Sequence, residues 1–215
     1  MSDSTPSALS PVQAARLSSG LQALDLPASL HAPLSRYLLL LHRWNQVYNL
    51  TAVRDINEMI TLHLLDSLAV MPHIQATRLV DVGSGAGLPG IPLAIACPGL
   101  EVTLLDSNSK KVRFLRQAVI HLGLGSQVDV IKARVEAYHP AQPFDGVISR
   151  AFADPAQYVQ LAGHLCAPEG RVLAMLGRLA TPPPMLPPGW QITRTWPLNV
   201  PTLDAQRHLL HIERI

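Results

Sequence analysis

The sequence has few cysteines, few aromatic residues and few charges, and these shortages exclude several classes of protein. Its two cysteines, Cys97 and Cys166, lie in apolar helical patterns, which predicts a reducing, cytoplasmic compartment and no disulfide framework. Charged residues make up 15% and hydrophobic residues 48%, a balance that excludes a disordered chain or a coiled coil. Unbroken apolar runs such as residues 37–41 are far short of the roughly 20 residues that span a bilayer. We therefore expect a soluble globular protein that makes no contact with membranes.

The basic residues are almost all arginine, with 14 Arg and 3 Lys in a chain of net charge +2. Arginine binds phosphate through two parallel hydrogen bonds and stacks on bases, which favours a nucleic-acid partner. The codon bias of a GC-rich genome would explain the same excess. Charge alone therefore does not establish nucleic-acid binding.

The chain is predicted to have three parts. Residues 1–9 are polar and predict a disordered lead, residues 10–75 a helical segment, and residues 76–215 an α/β domain. The spacing of apolar residues predicts helices over about 10–26, 29–48 and 55–73, with Ser10 capping the first. We expect the helical segment to pack on the domain that follows it.

Beyond residue 76, short apolar strands alternate with helices, which predicts βαβ units and a doubly wound parallel sheet of the Rossmann type. The last two strands are joined by a loop too short for a helical crossover, so they should pair antiparallel. A sheet that closes in such a hairpin is more typical of methyltransferases than of dehydrogenases. The predicted strands are residues 78–82, 101–106, 128–132, 144–149, 171–176, 190–196 and 208–212.

A glycine-rich loop follows the first of these strands, where an α/β sheet presents its ligand. Gly83, Gly85 and Gly87 permit positive φ angles and a close approach of the backbone to a ligand. Asp106 ends the second strand, 23 residues after Gly83, where a carboxylate can accept hydrogen bonds from both hydroxyls of a ribose. A tight turn that binds nothing is the less favoured interpretation, because the acidic residue gives the loop a context.

Two cofactors fit this arrangement. Residues 85–90 satisfy the pattern G-x-G-x-x-G of dinucleotide-binding folds, whereas Asp81 followed by alternating glycines suits S-adenosylmethionine. Pro89 and Pro92 remove N–H donors from the helix that would have to bind a pyrophosphate. The sequence therefore favours S-adenosylmethionine and leaves a nicotinamide-dependent oxidoreductase as the alternative.

The end of the third strand offers a further pair of residues to an adenosine. A carboxylate at Glu136 can accept a hydrogen bond from the exocyclic amine of adenine, and the backbone N–H of Val135 can reach a ring nitrogen. Glu136 taken alone would be read as an exposed surface acid. Its position at the third strand end favours the binding role.

Several blocks together resemble the bacterial small-subunit ribosomal RNA guanine-N7 methyltransferases, a family also called glucose-inhibited division protein B. The resemblance runs from about Leu34 to His211, and its most specific parts are Gly-Leu-Pro-Gly-Ile-Pro at 87–92 and Ile-Ser-Arg-Ala at 148–151. The other blocks are Val-Tyr-Asn-Leu-Thr at 47–51, His-Leu-Leu-Asp-Ser at 63–67, Leu-Leu-Asp-Ser at 104–107 and Lys-Val-Arg-Phe-Leu-Arg at 111–116.

The resemblance implies methyl transfer from S-adenosylmethionine to N7 of one guanine, G527, in the 530 loop of 16S ribosomal RNA. It further implies a cytoplasmic enzyme that meets its RNA in the small subunit or a precursor, and we expect a monomer. Leu62 and Leu176 stand where members of the family are usually basic. By motif position, the resemblance places the methyl donor against Gly83, Gly85, Leu88, Asp106, Val135, Glu136 and Arg150.

For the RNA, the candidate residues are Arg54, Arg134 and Arg207, with Arg150 as a further candidate and Arg113 and Arg116 as candidates or as an exposed helix face. Arg207 either contacts RNA, is an exposed loop charge or pairs with Asp204. The nine histidines are scattered, and His208 and His211 should face opposite sides of a strand, so no metal site is predicted. A non-catalytic RNA-binding relative of the enzymes is the third interpretation.

Overall fold

The computed structural model describes residues 8–152, 154–182 and 184–215. Seven strands form one sheet in the order β3-β2-β1-β4-β5-β7-β6. The first five strands pair parallel, whereas β7 pairs antiparallel with both β5 and β6. This confirms the predicted parallel sheet with a terminal antiparallel hairpin. The strands are β1 (Arg78–Val82), β2 (Glu101–Asp106), β3 (Val128–Lys132), β4 (Phe144–Ser149), β5 (Cys166–Leu176), β6 (Trp190–Pro197) and β7 (His208–Arg214).

The strand order reverses between β1 and β4, and this reversal creates a crevice at the carboxyl ends of the parallel strands. Because the strands from β1 to β5 run parallel, the loops after β1, β2, β3 and β4 all open at the same edge. The helices are α1 (Pro11–Ala23), α2 (His31–Tyr48), α3 (Ile56–Met59), α4 (Asp66–Leu68), α5 (Gly90–Ala96), α6 (Ser109–Leu122) and α7 (Pro155–Ala162).

The helices that precede the sheet share its hydrophobic core. Leu17 of α1 and Leu34 of α2 are fully buried in one cluster with Leu79 of β1 and Leu104 of β2. Leu9, within the predicted disordered lead, packs against that cluster, and residues 1–7 of the lead lie outside the described residues. Among the described helices, none is long and apolar enough to cross a membrane.

Some predicted boundaries need correction. The helix expected over 55–73 is α3, then a π-helical segment Ile60–Leu65, then α4, with a separate 3₁₀ turn at Met71–His73. Strand β5 begins at Cys166 instead of residue 171, because the chain pairs with Phe144 there before a register shift. A π-helical turn widens the helix by one residue per turn, and such turns are frequent at functional sites.

Candidate active site

The glycine loop after β1 is a tight turn whose shape depends on positive φ angles. Gly83 has a φ of +71° and Gly85 a φ of +59°, values that side-chain-bearing residues rarely adopt. The loop is held from two directions, since the N–H of Gly83 donates to the carbonyl of Leu105 and Tyr37 Oη donates to the carbonyl of Ala86 at 2.6 Å. Helix α2, which carries Tyr37, therefore positions the loop from the N-terminal side.

Backbone N–H groups of the loop are largely used within the protein. The N–H groups of Gly87 and Leu88 donate to the carbonyl of Ser84, and that of Gly90 donates to Oδ2 of Asp81 at 2.9 Å. A pyrophosphate at a glycine loop needs several free N–H donors. The loop is therefore poorly suited to a dinucleotide, which agrees with the argument from Pro89 and Pro92.

Asp106, at the carboxyl end of β2, lies directly opposite the loop. Its Oδ2 accepts a hydrogen bond from the N–H of Gly85 at 2.9 Å, and its Oδ1 accepts one from the N–H of Asn108 at 2.8 Å. Lys111 Nζ lies 3.9 Å from Oδ2. These contacts fix the carboxylate, and each oxygen keeps a further lone pair for a hydroxyl donor such as those of a ribose.

A cavity of about 310 Å³ opens between the loop, Asp106 and the end of β3. We call it the glycine-loop cavity; its lining includes Gly83, Asp106, Arg134, Val135 and Glu136. Phe152, on the loop after β4, forms the opposite wall and stacks on Tyr158 with ring centroids 4.9 Å apart. The cavity combines a fixed carboxylate, an exposed carboxylate and an aromatic face. The two acceptors suit the hydroxyls of a ribose and the exocyclic amine of adenine in S-adenosylmethionine.

Beneath the loop, Asp81 is fully buried and is not part of the cavity lining. Burial raises the pKa of its carboxyl to about 7, although the hydrogen bond from Gly90 opposes this shift. Asp81 therefore holds the start of α5 and acts on the loop through the backbone. Because Asp81 does not line the cavity, its role is structural.

A second cavity, of about 350 Å³, lies at the same edge of the sheet, and we call it the Asp66 cavity. Its walls come from the π-helical segment and α4 on one side and from β5 and β7 on the other. Arg150 lines this cavity, whereas Ala151 and Phe152 line the glycine-loop cavity. The loop after β4 therefore separates the two cavities, and consecutive residues face different ones.

Asp66 is the central charged group of the second cavity, and it is only 2% exposed. Its Oδ2 accepts a hydrogen bond from Arg150 Nη1 at 3.1 Å, and its Oδ1 accepts one from Arg207 Nε at 3.0 Å. Arg150 Nη1 also donates to the carbonyl of Leu62 at 2.7 Å. One buried carboxylate thus aligns two guanidinium groups from distant parts of the chain.

His63 lies in the wall of the same cavity, one helical turn before Asp66. Its Nε2 is 2.9 Å from Oγ1 of Thr51, which ties the π-helical segment to the loop after α2. Burial lowers the pKa of His63 to about 4, with the positive charge of Arg150 as the second cause. The imidazole is therefore neutral at physiological pH and contributes packing and one hydrogen bond.

The structure divides the predicted site residues among several places. Gly83, Asp106, Val135 and Glu136 line the glycine-loop cavity, and Gly85 is bound to Asp106 at its edge. Leu88 is buried in the core and Arg150 faces the Asp66 cavity, so neither lines the glycine-loop cavity.

The three arginines predicted for RNA are also dispersed. Arg134 lines the glycine-loop cavity and Arg207 the Asp66 cavity. Arg54 lines neither and donates to Oδ1 of Asn49 at 2.7 Å. The pairing of Arg207 with Asp204, considered as the alternative to an RNA contact, is wrong, because its partner is Asp66.

No role was predicted for Asp66 from the sequence, although the block at 63–67 that supports the family resemblance contains both His63 and Asp66. Their spacing of three residues places them on one helix face, and this spacing is the signal that could have indicated a shared site. The partners of Asp66 lie 84 and 141 residues away, and no local pattern predicts such pairs. Lys111 was likewise not assigned to the cavity that it lines.

Two solved methyltransferases share this architecture. The mitomycin 7-O-methyltransferase MmcR matches with a TM-score of 0.59 at 15% identity, over 96% of this chain and 69% of that one. A methyltransferase dependent on S-adenosylmethionine from Thiobacillus denitrificans, in complex with S-adenosyl-L-homocysteine, matches with a TM-score of 0.52 at 12% identity, over 84% and 98%. The strand order, the glycine loop and the acid at the end of β2 define the fold of an S-adenosylmethionine-dependent methyltransferase.

Sequence comparison then gives the family. A model of the family described as GidB, rRNA small subunit methyltransferase G, matches residues 30–210, and the chain belongs to this family. A ribosomal RNA small subunit methyltransferase G from Stenotrophomonas maltophilia is 52% identical over 204 residues, 93% of this chain and 94% of its own length. One from Xanthomonas campestris pv. campestris is 49% identical over 212 residues, 96% and 98% of the two chains. Membership confirms the predicted cofactor, S-adenosylmethionine, and decides against the nicotinamide-dependent alternative.

Proposed function

We propose that the protein transfers the methyl group of S-adenosylmethionine to N7 of guanine G527 in the 530 loop of 16S ribosomal RNA. The relatives are named as methyltransferases of small-subunit ribosomal RNA, which supports the RNA class. The structural observation that carries the proposal is the pair of cavities on either side of the loop after β4. One suits the methyl donor, and the other presents two aligned guanidinium groups to the base that receives the methyl group.

The glycine-loop cavity would hold the donor. Asp106 would accept hydrogen bonds from the ribose hydroxyls, and Glu136 would accept one from the exocyclic amine of adenine. Gly83 and Gly85 let the backbone approach the methionine part, and Leu88 supports the loop from the core. The backbone N–H of Val135 lies beside Glu136 on the 3₁₀ turn Val135–Ala137 and is the candidate partner of a ring nitrogen.

The Asp66 cavity would hold the target guanine. Arg150 and Arg207 can donate to O6 of the base or stack on its plane, and Asp66 keeps both from rotating away. Arg150 was expected at the donor and was also a candidate for RNA; its place in the lining of the Asp66 cavity supports a contact with the acceptor. Arg54 and Arg134 remain candidates for phosphates of the adjoining nucleotides.

The chemistry demands little of the side chains beyond alignment. Guanine N7 carries an in-plane lone pair and has no proton to lose, so no general base is needed. The sulfonium of the donor supplies an activated methyl group. The residues of the two cavities have to hold N7, the methyl carbon and sulfur in line, and such positioning contributes several kcal/mol to a rate. No residue is assigned a proton-transfer role.

We further propose that the protein acts as a monomer in the cytoplasm, on 16S ribosomal RNA within the small subunit or a precursor. The family's RNA substrate supports the location, since ribosomal RNA is assembled there. Each of the two cavities is lined by residues of a single chain, which is what a monomeric enzyme requires.

Transfer of a tritiated methyl group to isolated ribosomal subunits tests the proposal. Small subunits from a strain that lacks the modification should accept about one methyl group each, and large subunits should accept none. The Asp106→Ala variant, assayed in parallel, should be much slower at limiting donor. A wild-type protein that binds S-adenosylmethionine yet transfers nothing to small subunits or their precursors would favour the non-catalytic relative.

A further inference from the structure

A third cavity, of about 600 Å³, lies outside the two already described, against the outer face of α6. We call it the α6 cavity. Arg113, Arg116, Gln117 and Ile120 line it at the spacing of one helix face, and Lys132 at the end of β3 closes the other side. Ile120 is 74% exposed and adds an apolar side chain to this open surface. The face is therefore open to a partner.

The charge of this cavity has one sign. Its lining contains Lys110, Arg113, Arg116 and Lys132 and no carboxylate. Within the described residues, the side chains of these four cations form no ion pair and no hydrogen bond. Other arginines of the chain are engaged, as Arg171 is with Glu213 at 2.6 Å. Unpaired cations close together repel one another, so this arrangement is unfavourable unless an anion joins it.

The α6 cavity is next to the glycine-loop cavity. The segment that follows β2 and begins α6 contributes to both cavities. Ser107 and Lys111 line the glycine-loop cavity, and Ser109 and Lys110 line the α6 cavity. The end of β3 also contributes to both cavities, since Lys132 lines the α6 cavity and Arg134 lines the glycine-loop cavity. All three lysines of the chain, Lys110, Lys111 and Lys132, lie at this corner. A continuous positive surface therefore leads from the glycine-loop cavity along α6.

We propose that the outer face of α6, with Lys110 and Lys132, binds the phosphate backbone of the RNA strand that flanks the target nucleotide. The inference rests on the proposed function for the identity of the RNA. From Ser109 to Ile120 the helix rises about 17 Å, which is long enough to meet several consecutive phosphates. Arginine and lysine at phosphates position an RNA without reading its sequence. Tyr48 and Ile120 give the same face an apolar surface on which a base can rest.

Charge reversal on α6 tests the proposal, with a matched control on the opposite edge of the sheet. Arg113→Glu and Arg116→Glu reverse exposed charges in the α6 cavity. The control, Arg194→Glu, reverses an exposed charge on β6. Strand β6 is one edge of the sheet, and α6 lies beside β3 at the other edge. The probe is protein-free 16S ribosomal RNA, and binding is measured over a range of salt concentrations. Melting curves check the fold, and Arg116→Gln, which removes the charge without reversing it, provides a milder variant.

Each α6 reversal should weaken binding at 0.1 M salt at least fivefold and lower the slope of log K against log salt by about 0.7 or more. Arg194→Glu should stay within twofold of wild type, and all variants should bind S-adenosylmethionine within twofold. Unchanged RNA binding by both α6 variants would overturn the proposal. A loss confined to assembled subunits, with binding to protein-free RNA intact, would also overturn it and would indicate a protein partner.

The same measurements separate this proposal from the proposed function. If the wild type methylates small subunits and the α6 variants bind RNA normally, the α6 surface is wrong and the function stands. If the wild type binds RNA through α6 yet transfers no methyl group, the proposed function is wrong and the surface stands.

Discussion

Asp66 and Arg207 are 141 residues apart in the chain, and their side chains meet through a 3.0 Å hydrogen bond from Nε to Oδ1. The contact joins the N-terminal helices to the last strand of the sheet, at the edge where the cavities open. Because Asp66 also binds Arg150, the same carboxylate orients the loop after β4. The N-terminal helices therefore complete the site as well as covering the sheet.

We expect Asp66→Asn to slow methyl transfer much more than it weakens donor binding. The amide keeps the shape of the side chain and removes the charge that orients Arg150 and Arg207; hydrogen bonds to charged groups contribute about 1.5–3 kcal/mol each. Single-turnover transfer should fall at least tenfold, whereas calorimetry should give a donor dissociation constant within about threefold of wild type. Equal losses in both quantities would place Asp66 with the donor instead.

Asp106→Ala should weaken the binding of S-adenosylmethionine by at least an order of magnitude. Two charge-assisted hydrogen bonds to the ribose are lost, and the N–H of Gly85 loses its acceptor. Asp129→Ala is a matched control, since Asp129 is an exposed acid on β3 that lines neither of the two site cavities. Calorimetric titration measures both variants. An unchanged dissociation constant for Asp106→Ala, beside an intact melting transition, would remove the donor from this cavity.

Arg207→Ala should leave donor affinity within about twofold, a change of roughly 0.4 kcal/mol, and should lower methyl transfer far more. Misplacement of a reacting atom by an ångström can cost on the order of a hundredfold in rate. Arg194→Ala, on β6, serves as the control for the loss of a positive charge. A transfer rate that stays at the wild-type value, or a loss fully explained by weaker donor binding, would show that Arg207 does not act on the RNA.

The effect of Arg207 should also depend on Asp66. In a double-mutant cycle, Asp66→Asn and Arg207→Ala should be clearly non-additive in transfer rate, because each removes the same contact. Additive losses would mean that the two residues act separately.

His63 should make the stability of the protein depend on pH below neutrality. Burial lowers its pKa from 6.5 to about 4, so the unfolded chain takes up a proton before the folded protein does. The free energy of unfolding therefore falls as the pH falls from about 6.5 to about 4, by up to about 3 kcal/mol. Urea unfolding at a series of pH values, for wild type and His63→Gln, measures this contribution.

Asp81 gives the stability of the protein the opposite dependence on pH. The informative quantity is therefore the difference in unfolding free energy between wild type and His63→Gln at each pH. Burial raises the pKa of Asp81 to about 7, and the stability from its protonated form is lost as the pH rises towards that value. Subtracting the His63→Gln curve from the wild-type curve removes this term. The exposed His121→Gln variant is the control and should follow the wild type. If the His63 and His121 variants behave alike, His63 is not the source.

The architecture and the position of the glycine-loop cavity could be predicted from the sequence because their signals are local. The glycine loop and Asp106 follow strands whose apolar patterns fix their positions, and parallel strands bring those ends together. The strand boundaries from β1 to β4 were predicted to the residue for the same reason.

The arrangement of charges in the Asp66 cavity could not be predicted, because it depends on pairs distant in sequence. Nothing near Arg150 or Arg207 indicates that both bind Asp66, and the π-helical segment before Asp66 breaks the helical periodicity on which a prediction relies. The resemblance placed Arg150 with the donor by motif position, and the sequence also left it open as an RNA contact; its side chain lines the Asp66 cavity. Tertiary contacts determine that Arg150 lines one cavity and the next residue, Ala151, lines the other.

The most direct test is to locate the methyl group itself. Small subunits that lack the modification would be treated with the protein and S-adenosylmethionine, and their 16S ribosomal RNA digested and analysed by mass spectrometry. The account predicts one added methyl group, on the guanine base at position 527 and at N7, lost in the Asp106→Ala variant at limiting donor. A methyl group at another nucleotide or another atom of that guanine, or no methyl group in any small-subunit RNA, would contradict it.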